Sequence, residues 1–440
     1  MHAFLEQITL QMLISAGVLV GAYILVFTEV IHRANAALIG AVVMVGAGSW
    51  FGFYTQEQAV SSIDGNTMFL LSGMMIMVTM IRPTGGIEYL AIKVAKLAAK
   101  SPTRLLVYLC LAVSVTSMLL DNVTTVIIFA PLTVLICRIQ QVNPLPYLMA
   151  EAMTSNIGGI ATLVGDPPNI MIGSAAHIDF NTFLLHMGPI VAVIWAGVIV
   201  LILWQFRGQL APPAGLSGSI GLDEKTAIKD PRNLKYSLIA LFIVLLLFLV
   251  HHLLHIYPSY VTFIGVAIGF ALIRPDPDEV LRQLEWPVLM FFAALFIIVG
   301  GVQHSGLLEL IGNSLARFAR DPEQLLLTCL ILMWVAALLS TILDNIPFTI
   351  TMIPIVLNLE SVGVDATPLW WALALGVGLG GNGTHIGATA NIICVTESER
   401  CDLAEARITP GLWLRKGMPV MLASLVLCSL IFTVFFDFFL

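Results

Sequence analysis

Ser117–Ile136 reads SMLLDNVTTVIIFAPLTVLI, and Ser340–Leu359 reads STILDNIPFTITMIPIVLNL. Each is an apolar run interrupted by one Asp-Asn pair, Asp121-Asn122 and Asp344-Asn345, with the two aspartates 223 residues apart. A carboxylate at bilayer depth is costly unless it is paired, hydrated or protonated. An Asp before Val-Thr-Thr or Ile-Pro is also a sound helix N-cap. Asn or Ser would cap without the charge, so capping alone leaves the acid unexplained.

The bilayer is implied by composition. Of 440 residues, 58 % are hydrophobic and 11 % charged, and a soluble domain carries about twice that charge. Roughly ten apolar runs are long enough to cross or nearly cross a bilayer. They are continuous rather than alternating, which excludes a β-barrel. The first run, Ile8–Thr28, lacks a basic leader and a small-residue cleavage pattern, and reads as a mature helix rather than a signal peptide. Stretches 29–35, 82–104, 138–143, 207–235, 274–286 and 397–416 hold 18 of the 20 Lys and Arg residues. That asymmetry makes them cytoplasmic and places both termini outside. The six cysteines show no C-x-x-C spacing and read as small packing residues.

The chain divides into two copies of one plan. Crossings are expected at 8–30, 34–54, 66–82, 144–180 and 188–207, then at 235–255, 258–273, 287–304, 366–396 and 413–437. The fourth of each set is interrupted. Between the third and fourth lies an amphipathic stretch (86–100, 306–320) followed by two short limbs, 103–120 with 123–137 and 325–343 with 346–359. Arg104 and Arg138 bracket the first limbs on one side, so the pair is either two full spans or a re-entrant hairpin. Asp-Asn at the turn favours a hairpin whose tip stops inside the membrane, where irregular backbone is tolerated only if buried in protein or lining a cavity. The interrupted crossings also match: NIGGIATLVGDPPNI (156–170) and GLGGNGTHIGATANI (378–392) align Gly158-Gly159 with Gly380-Gly381, Thr162 with Thr384, Gly165 with Gly387 and Asn169 with Asn391. Five crossings per copy is odd, so the second copy runs inverted. The expected fold is an all-α polytopic membrane protein with about ten transmembrane helices in two inverted five-helix repeats, each with a re-entrant helical hairpin and a broken helix. The first repeat is 1–207 (hairpin 103–138, broken helix 144–180). A Gly-, Pro- and charge-rich cytoplasmic linker spans 208–234, and the second repeat is 235–440 (hairpin 324–359, broken helix 366–396).

Inverted repeats with broken helices belong to secondary transporters, which bind at midplane where the repeats meet. Glycines let the backbone turn and approach a solute, and prolines free carbonyls that can coordinate a cation. A kink at a packing contact would use the same residues. The candidate solute-binding set is Asn122, Thr124, Thr125, Asn156, Gly158, Gly159, Asn169, Asn345, Gly380, Gly381, Asn382, Thr384 and Asn391. Asp121, Asp344, Asp166 and Glu151 are the candidate proton- or cation-coupling groups, Glu151 having a helix-end contact as its alternative. Thr124 and Thr125 correspond to Pro347 and Phe348, so the site is expected to be asymmetric. No Lys or Arg is expected near either tip or either Gly-Asn loop. His251, His252 and His255 read as solvated outer-end residues, and Met74, Met75, Met77 and Met80 as packing or lipid-facing residues. No Walker A, zinc motif or Ser/His/Asp constellation appears. The chain reads as neither an enzyme nor a nucleic-acid binder and needs no cofactor or metal. An ATPase would have to be a separate subunit.

On these residues the chain resembles the ion transporter superfamily. FTEVIHRANAALIGA (27–41), LDNVTT (120–125), NIGGIATLVGDPPN (156–169), LDNIPFT (343–349) and LGGNGTHIGATAN (379–391) are similar to signatures of its ArsB/P-protein branch. Arsenite pumps of the enteric type carry the first-tip acid one place later, whereas this order is P-protein-like. The dicarboxylate/sodium symporters carry Ser-Asn-Thr at their tips. The resemblance implies a transport block moving against a scaffold by alternating access, a homodimer as a common assembly, and a bacterial cytoplasmic (inner) membrane.

The leading expectation is proton-coupled efflux of a small inorganic solute, a metalloid oxyacid such as arsenite or antimonite. Arsenous acid is neutral at pH 7 and asks for hydroxyl and amide partners rather than a basic clamp. Sodium/proton antiport, carboxylate uptake and an anion conductance are the alternatives, with H⁺ or Na⁺ as coupling ion.

Overall fold

The computed structural model describes residues 8–28, 30–98, 101–210, 224–319, 322–342, 344–401 and 403–440. Residues 211–223 of the 208–234 linker, and Leu343 beside the second tip, lie outside the described residues. Every regular element described is helical. The main helices are α1 (Leu10–Thr28), α2 (Arg33–Phe51), α3 (Gly65–Ile81), α4 (Pro102–Leu119), α5 (Asn122–Gln140), α6 (Leu145–Gly159), α7 (Pro167–Ala175) and α8 (Phe180–Phe206) in the first half. The second half has α9 (Pro231–Val250), α10 (Pro258–Ile273), α11 (Trp286–His304), α12 (Pro322–Ile342), α13 (Asn345–Ser361), α14 (Thr367–Gly380), α15 (Thr389–Arg400) and α16 (Pro410–Val434).

Ten helices among the described residues are long and apolar enough to cross a bilayer. They are not the ten crossings read from the sequence. Hairpin limbs α4, α5 and α12 qualify by length, whereas the halves of the broken helices and α10, with 16 residues, do not. Leu13, Val20, Ile24, Phe242, Leu246, Val426 and Leu430 are exposed on α1, α9 and α16, and this apolar surface is what lipid covers. The chain is an integral membrane protein.

The limbs reverse at the Asp-Asn pairs, as α4–α5 and α12–α13. Helices α6–α7 and α14–α15 are the broken helices, interrupted at 160–166 and 381–388. Each hairpin is reached through an amphipathic helix, Gly86–Leu97 or Leu307–Ala319, that packs on its limbs. Gly85 and Gly306, at φ +80° and +84°, begin these two helices, and this left-handed turn suits only glycine well. Helix α8 begins eight residues before the expected crossing at 188. Asp179 caps it, accepting from the amides of Asn181 and Thr182, and Pro189 sits within it.

Two bodies result. Helices α1, α2, α3, α9, α10 and α11 pack on one another as a scaffold. The hairpins, the broken helices, α8 and α16 form a second block. Where the bodies face each other, a cavity of about 870 Å³ lies between scaffold residues such as Asn66, Phe296 and Gln303 and block residues such as His177, Ile353 and Leu357. His252 and His255 line it as expected of solvated residues, but His251 is buried. Its ring accepts from the Phe180 amide and meets the Ile256 carbonyl. Met74, Met77 and Met80 are core residues, and the six cysteines are buried.

Candidate functional site

The two halves build their breaks with the same hydrogen bonds. Ser117 donates to the Ser155 carbonyl at 2.8 Å, and Ser340 to the Val377 carbonyl at 2.9 Å. Thr162 donates to the Met118 carbonyl and Thr384 to the Thr341 carbonyl, both at 2.6 Å. The Asn169 amide donates to the carbonyls of Gly159 and Thr162 at 3.0 and 2.9 Å. Asn391 repeats this with Gly381 and Thr384 at 2.7 and 2.9 Å. An interrupted helix leaves carbonyls without intrahelical partners, and here two side-chain amides satisfy them. Gly158 and Gly380 bring the first half of each broken helix against a hairpin limb. A Cβ at Gly158 would lie 2.6 Å from the Ser114 carbonyl oxygen, and one at Gly380 would lie 2.4 Å from that of Ala337.

The halves meet at a knot of amides. Asn122 donates to Asn156 at 3.3 Å, and Asn156 donates to Asn382 and Asn391 at 2.9 and 3.0 Å. The second bonds join the first broken helix to the other half of the chain. Asn382 returns a bond to the Met153 carbonyl at 3.3 Å, and the Trp413 indole donates to the Asn382 carbonyl at 3.1 Å. Asn156, Asn382 and Asn391 are therefore brought together, while Asn169 stays within its own break, and the amides of all four donate within the protein. Gly159 and Gly381 sit at the start of the breaks, where added Cβ atoms would meet Gly165 and Ala388.

The tips differ in how they use their carboxylates. Asp121 accepts from the Thr124 amide at 2.7 Å and caps α5. Asp344 makes no side-chain cap. It accepts from the Arg33 guanidinium at 3.0 Å, and Arg33 also donates to the Thr389 hydroxyl at 3.1 Å. The expectation that no Lys or Arg approaches the tips is thus overturned. Arg33 opens α2, lies 5.7 Å from the Phe291 ring centroid on α11, and reaches across from the scaffold. Asp166 opens α7 without capping it and is buried. Its side chain meets that of Asn345, within electrostatic reach of Asp121 and Asp344. The Asn345 oxygen accepts from Ser340. Glu285 lies within electrostatic reach of Asp121, Arg33 and Arg82, so four carboxylates share the neighbourhood of two guanidiniums and outnumber them.

Thr124 and Thr125 follow the first tip. Thr125 is fully buried, and its hydroxyl finds no partner among the described residues. Across the pseudosymmetry, the Pro347 carbonyl accepts from the hydroxyl of Tyr23 on α1 at 2.8 Å. Glu151 stands apart from the tips, more than a turn before Asn156 on α6. It is fully buried and mid-helix, so a helix-end contact does not describe it. Thr133 donates to one of its oxygens and the other has no partner among the described residues. Arg33 and Tyr23 are the site residues that sequence reasoning missed. Arg33 lay inside a quoted signature, FTEVIHRANAALIGA, but its charge was read only as a loop cation.

Comparison with known proteins agrees with this architecture. A family model described as "Citrate transporter" (CitMHS) matches residues 23–376. An uncharacterized transporter of Mycobacterium tuberculosis is 38 % identical over 423 residues, covering 95 % of this chain and 97 % of its own. The human P protein is 30 % identical over 505 residues, covering 96 % of this chain and 60 % of its own, which bears out the P-protein side of the resemblance. The crystal structure of the Alcanivorax borkumensis YdaH transporter, described as having an unusual topology, superposes with a TM-score of 0.63. It is 15 % identical and covers 98 % of this chain and 99 % of its own, so it speaks for the fold. With a family match across most of its length and transporters among its full-length relatives, the chain belongs to the CitMHS citrate transporter family and is a secondary transporter, not an enzyme.

Proposed function

We propose that the protein carries a small carboxylate anion across the membrane by alternating access, with H⁺ or Na⁺ travelling at Asp121, Asp166 and Asp344. The observation that carries this reading is the Arg33 guanidinium beside the second tip. Expectation of a neutral metalloid oxyacid rested on a site without basic groups. A guanidinium gives a carboxylate a planar, bidentate partner. The surplus of acids means that an anion enters favourably only once protons or cations neutralise some of them. That requirement is itself a coupling mechanism. The citrate named in the family's description makes citrate the first solute to test.

In this reading the hairpin tips stop at midplane and the halves are inverted. Both termini face outward, and the membrane is a bacterial inner membrane. The block of hairpins and broken helices moves against the scaffold. Glu151 is a second coupling candidate on the same block, separate from the solute.

Proteoliposomes under an imposed proton or sodium gradient are expected to accumulate labelled citrate. Accumulation of arsenite but not citrate under the same gradient would replace the carboxylate reading with the metalloid one. Gradient dissipation by sodium alone, with neither solute moving, would replace it with sodium/proton antiport. The unpaired Thr125 hydroxyl supplies a further expectation. A buried hydroxyl without a partner costs stability rather than adding to it, so Thr125→Val should melt no lower than the parent. If the hydroxyl serves the solute, KM should rise about five- to tenfold, the worth of one hydrogen bond of about 1 kcal/mol or slightly more. An unchanged KM would remove Thr125 from the site.

A further inference from the structure

We infer that Arg33 is a lock: the scaffold residue that holds the empty transport block in place by pairing with Asp344, and that lets it go when Asp344 loses its charge or an anion takes the guanidinium. The inference rests on the carrier reading only for what opens the lock. The geometry supplies the rest. Arg33 opens a scaffold helix, and its partners, Asp344 and Thr389, open two helices of the block. One side chain thus bridges both moving elements of the second repeat. Tyr23, also on the scaffold, adds a bond to the Thr351 hydroxyl at 2.7 Å on the same hairpin. Among the described residues no scaffold side chain hydrogen-bonds the first-tip carboxylate, and Asp121 caps its own helix.

Charge and exposure suit a contact that opens. The Arg33 side chain is 30 % and the Asp344 side chain 19 % exposed, so solvent and solute reach the pair. A guanidinium that is only part-exposed favours a nearby counter-charge. Asp344 is the carboxylate that hydrogen-bonds it. Glu285 on the scaffold lies within electrostatic reach of Arg33, Asp166 on the block within reach of Asp344, and Asp121 within reach of both Glu285 and Asp166. A bound carboxylate would replace Asp344 without leaving Arg33 unpaired, so binding and release of the block become one event. A ligand shifts such an equilibrium only through differential affinity for the two states, and competition for one guanidinium provides that difference.

The inter-body cavity provides a readout independent of transport. Ile353, on the locked hairpin, lines it, and all six native cysteines are buried. Ile353→Cys can therefore be labelled with a membrane-impermeant thiol reagent over little background. Arg33→Gln and the near-isosteric Asp344→Asn should each change the labelling rate several-fold without any solute present. The double variant should change it no further than either alone, because both remove one contact. Unchanged labelling in both single variants would overturn the lock. If Arg33→Gln fails to fold, Asp344→Asn carries the test alone, since Asn keeps the shape and Asp344 makes no cap to lose. Citrate should alter labelling of the parent and not of Arg33→Gln. A parent insensitive to citrate, with both variants still shifted, keeps the lock and removes citrate as the solute.

Discussion

Gly380→Ala is expected to melt well below the parent, and Gly158→Ala to follow it. In a helix interior alanine is favoured over glycine by about 1 kcal/mol, so propensity alone predicts a gain. The packing predicts the opposite. At Gly380 a Cβ would lie 2.4 Å from the carbonyl oxygen and 2.7 Å from the Cα of Ala337. Both obstacles are backbone, which cannot rotate away, so α12 and α14 must separate. In a membrane the association of helices relies on close packing rather than on expelling water. Forced overpacking costs about 1–3 kcal/mol and at times more, so the clash wins. At Gly158 the obstacle is the Ser114 backbone at 2.6 Å, the same contact in the other half. Gly46→Ala, with nothing within 4 Å of the added Cβ, is the control and should not lower the melting temperature. Thermal melts in detergent, followed by the loss of monodisperse protein, would decide it. A Gly380→Ala protein that melts with the parent would mean that the two helices pack differently.

Asp121→Asn should leave the protein folded and abolish gradient-driven transport. Asn and Asp are equivalent N-caps, so the bond to the Thr124 amide survives the exchange and α5 keeps its start. What disappears is the charge and the proton site. A loss of about a hundredfold in coupled flux corresponds to about 2.7 kcal/mol. The contrast with Asp121→Ala separates the two roles. Alanine loses the cap as well, at about 1 kcal/mol, and should lower both flux and melting temperature. Full coupled flux in Asp121→Asn would reduce this residue to a cap and move the coupling to Asp166, Asp344 or Glu151, each testable by the corresponding amide.

Most of the architecture was legible in one dimension. Apolar runs register a bilayer without any knowledge of contacts, and duplicated Asp-Asn and Gly-Asn stretches register a repeat. The repeat proved deeper than the sequence comparison suggested. Ser117 and Ser340, or Thr162 and Thr384, make the same bond to the same backbone position. Local rules also misplaced a boundary: the crossing expected from 188 begins at Phe180, where Asp179 caps a 27-residue helix.

The composition of the site was another matter. Which amides face each other, that Asp166 reaches the opposite hairpin, and that Glu151 stands off from the tips all depend on how the two halves interlock. Arg33 and Asp344 are 311 residues apart. In the sequence Arg33 is one cation between two apolar runs, and the positive-inside rule gives it a complete explanation. Only the folded chain sets α2 against the second hairpin and turns that cation into the counter-charge of a tip carboxylate. Local sequence determines which segments enter the membrane and where they break, because hydropathy and backbone satisfaction act residue by residue. Charge pairing acts through space, and the distances it depends on exist only once the helices have packed.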